Sequence, residues 1–212
     1  MNTAGGIVYL LDDEPGMVKA LMRLLRAKRF DVRGFTSVRD FLAGFRPEET
    51  ACLVLDMAMP ELDGLALQRR LTHQGILIPI IFLTGHGDIP TSVLAIKAGA
   101  TDFLTKPADA ALLIPAVRAA LQVAETRRQT TAETAALAAR LATLTPRERE
   151  VMEHVVAGEL NKQTAADLGT GEQNIKLHRM HIMKKMGVRS LADLVRAAER
   201  LGVRTLDSLR GD

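Results

Sequence analysis

Residues 52–60 set the terms for the first half of this chain. Cys52-Leu53-Val54-Leu55 is an unbroken apolar run that ends on a lone carboxylate, Asp56, followed by Met57-Ala58-Met59-Pro60. A short apolar run bounded by polar residues reads as a strand buried on both faces, as in a parallel sheet. Asp56 then stands at the carboxyl end of a central strand, where open α/β sheets keep their ligand crevice. The simpler reading makes Asp56 a helix cap at a strand-to-helix turn. Pro60 and Gly64 mark the following segment as a loop.

The flanking sequence supports the sheet. Ile7–Leu11 is a short apolar run ending in Asp12-Asp13-Glu14-Pro15, and Leu21, Leu24 and Leu25 recur at helical spacing up to about Lys28. Phe30–Phe35 reads as a second strand, and Ser37 can cap a helix over Val38–Phe45. The third strand is 51–55. A helix carrying Leu65, Leu67 and Leu71 follows it. The fourth strand is Ile76–Leu83, interrupted by Pro79, and leads into Thr84-Gly85-His86-Gly87-Asp88. A helix near Pro90–Ala98, a fifth strand at Thr101–Leu104, then Lys106-Pro107 and a helix over Ala111–Val123 complete an alternating series. Five strands alternating with five helices predict a doubly wound α/β sheet of flavodoxin-like (βα)5 type.

Such a sheet gathers the carboxyl ends of its strands at one edge. Asp12 and Asp13 come from strand one, Asp56 from strand three, Thr84 from strand four and Lys106 from just past strand five. Three carboxylates held together repel and call for a proton or a cation. Hard oxygen ligands with room for water and phosphate suit Mg²⁺ (or Mn²⁺). Thr84 can donate to an added phosphoryl oxygen. Lys106 can pair with the carboxylate before phosphorylation and with the phosphoryl group after it.

These residues resemble the receiver domain of two-component response regulators over 5–123. The run Thr84-Gly85-His86-Gly87-Asp88-Ile89-Pro90 with Ala95-Ile96-Lys97-Ala98-Gly99-Ala100 is similar to the FixJ-type subgroup. The resemblance implies that Asp12, Asp13 and Asp56 hold the metal and that Asp56 takes a phosphoryl group from a sensor histidine kinase. It also implies that Thr84 and Phe103 are the switch pair, moving together to repack the face of the fourth and fifth helices and fifth strand. The Lys106–Pro107 bond is usually cis in that family.

Charge points to the second half. Residues 1–123 hold 13 Lys/Arg against 13 Asp/Glu, whereas 161–189 hold six basic residues against two acidic ones. A basic excess in one short segment makes nucleic acid the first partner to consider; the alternative is a solvated helix face. Residues 124–142 are Ala-rich, with no Gly or Pro between Pro115 and Pro146. This favours a helical connector with a Leu137, Leu141, Leu144 seam; a Thr-rich middle leaves a flexible tether open. Thr145-Pro146-Arg147-Glu148 is a capping box. It opens a helix bearing Val151, Met152, Val155 and Val156 and stopping at Gly158. A short helix, Lys162–Leu168 capped by Asn161, follows, then a long one over Gly171–Met186 ending at Gly187, then one from Ser190 to about Arg200. Two helices joined by the tight turn at Leu168–Gly171 are a helix-turn-helix. Ile175, Ile182, Met183 and Met186 face the core at helical offsets. Lys176, Arg179 and Lys184 fall largely elsewhere, suiting the major groove.

Residues 144–201 resemble the LuxR-type DNA-binding domain, from Leu144-Thr145-Pro146-Arg147-Glu148 through Asn161-Lys162 and Ile175-Lys176-Leu177-His178-Arg179 to Met186-Gly187-Val188-Arg189-Ser190-Leu191. By that resemblance Glu148, Met152 and Gly158 are scaffold residues. Lys176, Leu177 and Met180 approach bases, while Lys162, His178, Arg179 and Lys185 lie near the phosphate backbone. Two positions depart from the pattern: Gly171 replaces a capping Ser, and Asn174 replaces a DNA-facing Thr. Met180 is an unusual apolar residue at a base-proximal place.

The expected organisation is a receiver at 1–123, a helical linker at 124–142 and a four-helix DNA-binding domain at 143–212. The expected function is a phosphorylation-controlled transcription regulator rather than an enzyme. Its expected partners are promoter duplex DNA, a sensor kinase, a second copy when phosphorylated, and RNA polymerase. An aspartyl-phosphate hydrolase would usually carry a second Asp two residues after the nucleophile, where this chain has Ala58. A DNA-binding module indifferent to phosphorylation leaves the acidic residues unexplained. The lone thiol at Cys52, no evident signal peptide and no apolar run of membrane-spanning length fit a cytoplasmic protein without membrane contact.

Overall fold

Five parallel strands, β1 (Ile7–Leu11), β2 (Asp31–Phe35), β3 (Ala51–Asp56), β4 (Ile80–Thr84) and β5 (Asp102–Thr105), form one sheet in the order β2-β1-β3-β4-β5. The computed structural model describes residues 5–60, 62–85 and 99–203. The helix expected near Pro90–Ala98 lies outside them. Among the described residues, helices α1 (Pro15–Ala27), α2 (Val38–Gly44), α3 (Gly64–His73) and α4 (Ala110–Ala142) accompany the sheet. The chain divides into two compact units, Met1–Arg128 and Gln129–Asp212. α4 is one continuous helix running from the first into the second.

Alternation along the strands produces two apolar layers. Tyr9, Leu11, Leu53, Leu55 and Phe82 pack with Phe41 of α2 and Leu67 and Leu71 of α3. Val8, Leu10, Cys52, Val54, Ile81 and Leu83 pack with Leu21 and Leu25 of α1 and Leu113, Val117 and Leu121 of α4. β1 and β3 are buried along their whole length because helices cover both faces.

Strand four is shorter than the run at Ile76–Leu83 suggests. Pro79 has no N–H to give a ladder, and its carbonyl accepts from Leu53 N–H at 2.9 Å. Pairing begins at Ile80, opposite Leu53.

The second unit holds α5 (Pro146–Val156), α6 (Asn161–Asp167), α7 (Glu172–Met186) and α8 (Leu191–Arg200). Val151, Met152, Val155, Ile175, Ile182, Met186 and Leu194 share one core, with Leu137 and Leu141 of α4 packed against it. Thr145 and Glu148 form the expected capping box. At α6 the expectation fails by one residue. Gln163 Oε1 accepts from Leu160 N–H at 2.8 Å, so Leu160 is the cap and Asn161 the first helical residue. α7 ends on Gly187 in the left-handed region, φ 67°.

Candidate functional site

The strand order reverses between β1 and β3, and this gap is where a doubly wound sheet opens a crevice. Asp12 follows the last residue of β1 and Asp56 ends β3, so both carboxylates reach that gap. Asp12 is 2% exposed and Asp56 4%. Carboxylate oxygens of Asp12, Asp13 and Asp56 lie within 4.8 Å of one another. Lys106 Nζ reaches in to 2.7 Å from Asp12 Oδ2 and 3.0 Å from Asp56 Oδ1. Glu14 N–H donates to Asp12 Oδ1 at 3.0 Å and orients it.

One ammonium faces three carboxylates. Burial raises the Asp56 pKa, with the Asp12 charge adding to it, against the hydrogen bond and charge of Lys106 and the Ala58 N–H. Burial also opposes the Lys106 charge, but its two carboxylate partners outweigh that and raise its pKa. The group therefore has spare oxygen donors and an excess of negative charge, which matches a small hard cation.

Thr84 is the buried last residue of β4, and its carbonyl accepts from Lys106 N–H at 2.7 Å, tying both residues to one edge. Phe103 of β5 pairs across the ladder with Phe82 and is partly buried against the α2–α3 layer. The Lys106–Pro107 bond is cis. Gly64 has a larger part than marking a loop. A Cβ there would lie 2.8 Å from the Asp56 carbonyl oxygen, and Gly64 N–H donates to Met57 O at 3.0 Å. Its bare backbone lets α3 start against the end of β3.

In the second unit the recognition-helix residues take different environments. Lys176, Leu177 and Met180 are exposed on α7, and Lys176 pairs with Glu172 at 3.2 Å. Lys162 is exposed on α6. Asn174 donates to Thr170 Oγ1 at 3.1 Å. His178 is half-buried, its Nδ1 enclosed without a hydrogen-bond partner, and Arg179 lines a small apolar pocket with Val155, Ile182 and Leu194. Lys185 is turned inward: its Nζ lies 2.6 Å from Glu148 Oε2 and 3.2 Å from Thr143 O. The resemblance places Lys185 near the phosphate backbone; its ion pair with the buried Glu148, 37 residues away, is marked by no local pattern.

Arg140 was missed altogether. It sits near the end of α4, and its Nη1 donates to Met186 O at 3.1 Å, capping the C-terminus of α7. A Cβ on Gly187 would lie 2.6 Å from the same guanidinium nitrogen. Gly187→Ala is expected to cost the second unit about 1–2 kcal/mol, from left-handed backbone strain and displacement of Arg140. A thermal melt equal to wild type would refute this. One histidine also joins two carboxylates: His154 Nδ1 lies 2.6 Å from Glu159 Oε2, with Asp167 close by, where the α5–α6 turn brings them together.

Residues 8–118 match the response regulator receiver domain, and 142–198 match the bacterial regulatory proteins of the luxR family. The response regulator protein TodT of Pseudomonas putida is 44% identical over 201 residues, covering 95% of this chain and 88% of TodT. This chain belongs to the response regulators. It is a DNA-binding transcriptional regulator of a two-component system, with a receiver and a LuxR-type helix-turn-helix domain. The transcriptional regulatory protein FixJ of Bradyrhizobium diazoefficiens is 39% identical, covering 95% of this chain and 98% of FixJ. Among solved structures, the response regulator StyR superposes with a TM-score of 0.81 at 43% identity, covering 92% of this chain and 98% of StyR. Among the described residues, no helix of this response regulator is long and apolar enough to cross a membrane.

Proposed function

We propose that Asp56 accepts a phosphoryl group from a sensor histidine kinase, and that this promotes pairing of two copies and their binding to promoter DNA. The observation that carries the reading is a buried carboxylate at the strand-order reversal, held at 3.0 Å by Lys106 beside two further Asp residues. The donor set of Asp12, Asp13 and Asp56 fits Mg²⁺ (or Mn²⁺), and these three residues would hold it. When bound, that ion neutralises charge on the transferring phosphoryl oxygens.

An Asp56 carboxylate oxygen attacks phosphorus, the N–P bond of the kinase phosphohistidine breaks, and its electron pair stays on the imidazole nitrogen. Lys106 exchanges its Asp56 partner for a phosphoryl oxygen, and the Thr84 hydroxyl donates to another. The movement of Thr84 frees room for Phe103, which repacks the outer face of β5 and α4. Residues 1–123 act as the receiver, 124–142 as the connector and 143–212 as the DNA-binding domain, in the cytoplasm, with RNA polymerase as a further partner. Contacts to the duplex come from Lys162, Asn174, Lys176, Leu177, His178, Arg179 and Met180. Lys185, engaged by Glu148, reaches a phosphate only by sharing that bond.

Sedimentation and gel shift with acetyl phosphate, with Mg²⁺ or with EDTA, test the scheme. A heavier species and tighter DNA binding are expected only when phosphodonor and Mg²⁺ are both present. Unchanged mass and affinity would overturn it. Lys176→Ala is expected to weaken specific binding by about 1–3 kcal/mol and to relax sequence preference. A uniform loss across sequences would make Lys176 a phosphate contact instead.

A further inference from the structure

The outward side of α7 carries a row that basic charge does not explain. Ile175, Ile182 and Met186 are fully buried and define the inner side of the helix. At 100° per residue, the positions nearest the opposite side are Gln173, Leu177, Met180 and Lys184, spaced four, three and four residues apart. All four are exposed, and the two central ones are large and apolar: Leu177 is 49% exposed and Met180 57%. The strongest outward apolar feature of the recognition helix therefore sits at its middle, with an amide before it and an ammonium after it.

We propose that this row reads A·T pairs in the major groove, with Leu177 and Met180 closing on thymine methyl groups and Gln173 on an adenine. The inference rests on α7 entering the duplex. The thymine C5-methyl is the apolar group that the major groove displays. Against a G·C pair, Leu177 and Met180 would cover the guanine acceptors and the cytosine donor without bonding them, and a desolvated unpaired polar group is costly. Gln173 supplies the paired donor and acceptor that match adenine N7 and N6. Gln173 and Met180 are seven residues apart, so at 1.5 Å per residue the row covers about 10.5 Å, or about three base pairs at 3.4 Å each. The surrounding charge fits a polyanion: α7 carries Lys176, Arg179, Lys184 and Lys185 against Glu172 alone. Along this row discrimination comes from apolar contact and an amide, in addition to what Lys176 reads, while cations that meet only phosphates supply affinity that is blind to sequence.

Removing the methyl groups while keeping the base pairing tests this. The full-length protein, treated with acetyl phosphate and Mg²⁺, selects from a pool of random-sequence duplexes. The selected duplex is then remade with deoxyuridine in place of thymidine. Wild type is expected to bind the deoxyuridine copy about tenfold more weakly at equal salt. The doubly substituted Leu177→Ala, Met180→Ala chain should bind both copies alike, and Gln173→Ala should lose its preference for adenine at one position. Both apolar side chains are exposed, so this variant should melt with wild type. Equal wild-type affinity for the two copies overturns the proposal while leaving α7 as the DNA-reading helix. If no sequence is enriched at all, the reading of α7 fails and this proposal fails with it.

Discussion

Replacing Asp56 with Asn is expected to abolish phosphoryl uptake from acetyl phosphate or a phosphohistidine donor, and with it any phosphodonor effect on mass or DNA affinity. The side chains are nearly isosteric, and Asp56 ends a strand buried on both faces, so the sheet should be unaffected. What disappears is the nucleophilic oxygen and one negative charge beside Asp12 and Asp13. Burial already holds the Asp56 carboxyl above its ordinary range. Its ionised form is therefore disfavoured in the fold, and it lowers stability as pH rises through the folded-state pKa. Asp56→Asn should accordingly melt above wild type at neutral pH, and the margin should open as pH rises from the ordinary carboxylate value through the raised Asp56 value. Label recovered on another residue of the variant, or a variant that melts below wild type, would contradict the assignment.

The second large effect belongs to Glu148. Its buried carboxylate accepts from Thr145 N–H at 2.8 Å and from Lys185 Nζ at 2.6 Å. It thus joins the start of α5 to the last turn of α7. Glu148→Ala removes half of a capping box and leaves the Lys185 ammonium without its carboxylate. Cap loss costs about 1 kcal/mol. The broken ion pair adds about 2 kcal/mol, less than a fully buried pair because Lys185 is partly exposed. About 3 kcal/mol in a unit of this size lowers its melting temperature by more than about 10 °C. Glu148→Gln keeps an acceptor for Thr145 and should fall between Ala and wild type. The Lys185 hydrogen bond, with the Thr145 N–H and the charge of Lys185 behind it, holds the Glu148 carboxyl below its ordinary value. Its stabilisation is present above the unfolded carboxyl pKa of about 4.3 and is lost as pH falls through the lower folded value. Acid titration of the wild type should show that loss and Glu148→Ala should not. An Ala variant as stable as wild type would reduce Glu148 to a surface cap.

Much of this molecule is legible in its sequence alone. Runs such as Val8–Leu11 and Cys52–Leu55 have one way to hide both faces, between two layers of helix, and that alone implies a doubly wound parallel sheet. The polar residues closing those runs had to meet at one edge, because parallel strands all end on the same side. Caps at Ser37, Thr145, Ser190 and Gly187 are local hydrogen-bond devices, so a few neighbouring residues specify them. The interior of a pairing between distant residues carries no such local mark. Tertiary structure alone decided that Lys185 turns inward to Glu148 instead of outward, that Arg140 caps α7, and that Gly64 is needed where α3 meets the Asp56 carbonyl. In each case the partner is named by packing geometry, which brings side chain and backbone together across spans that periodicity and composition do not encode.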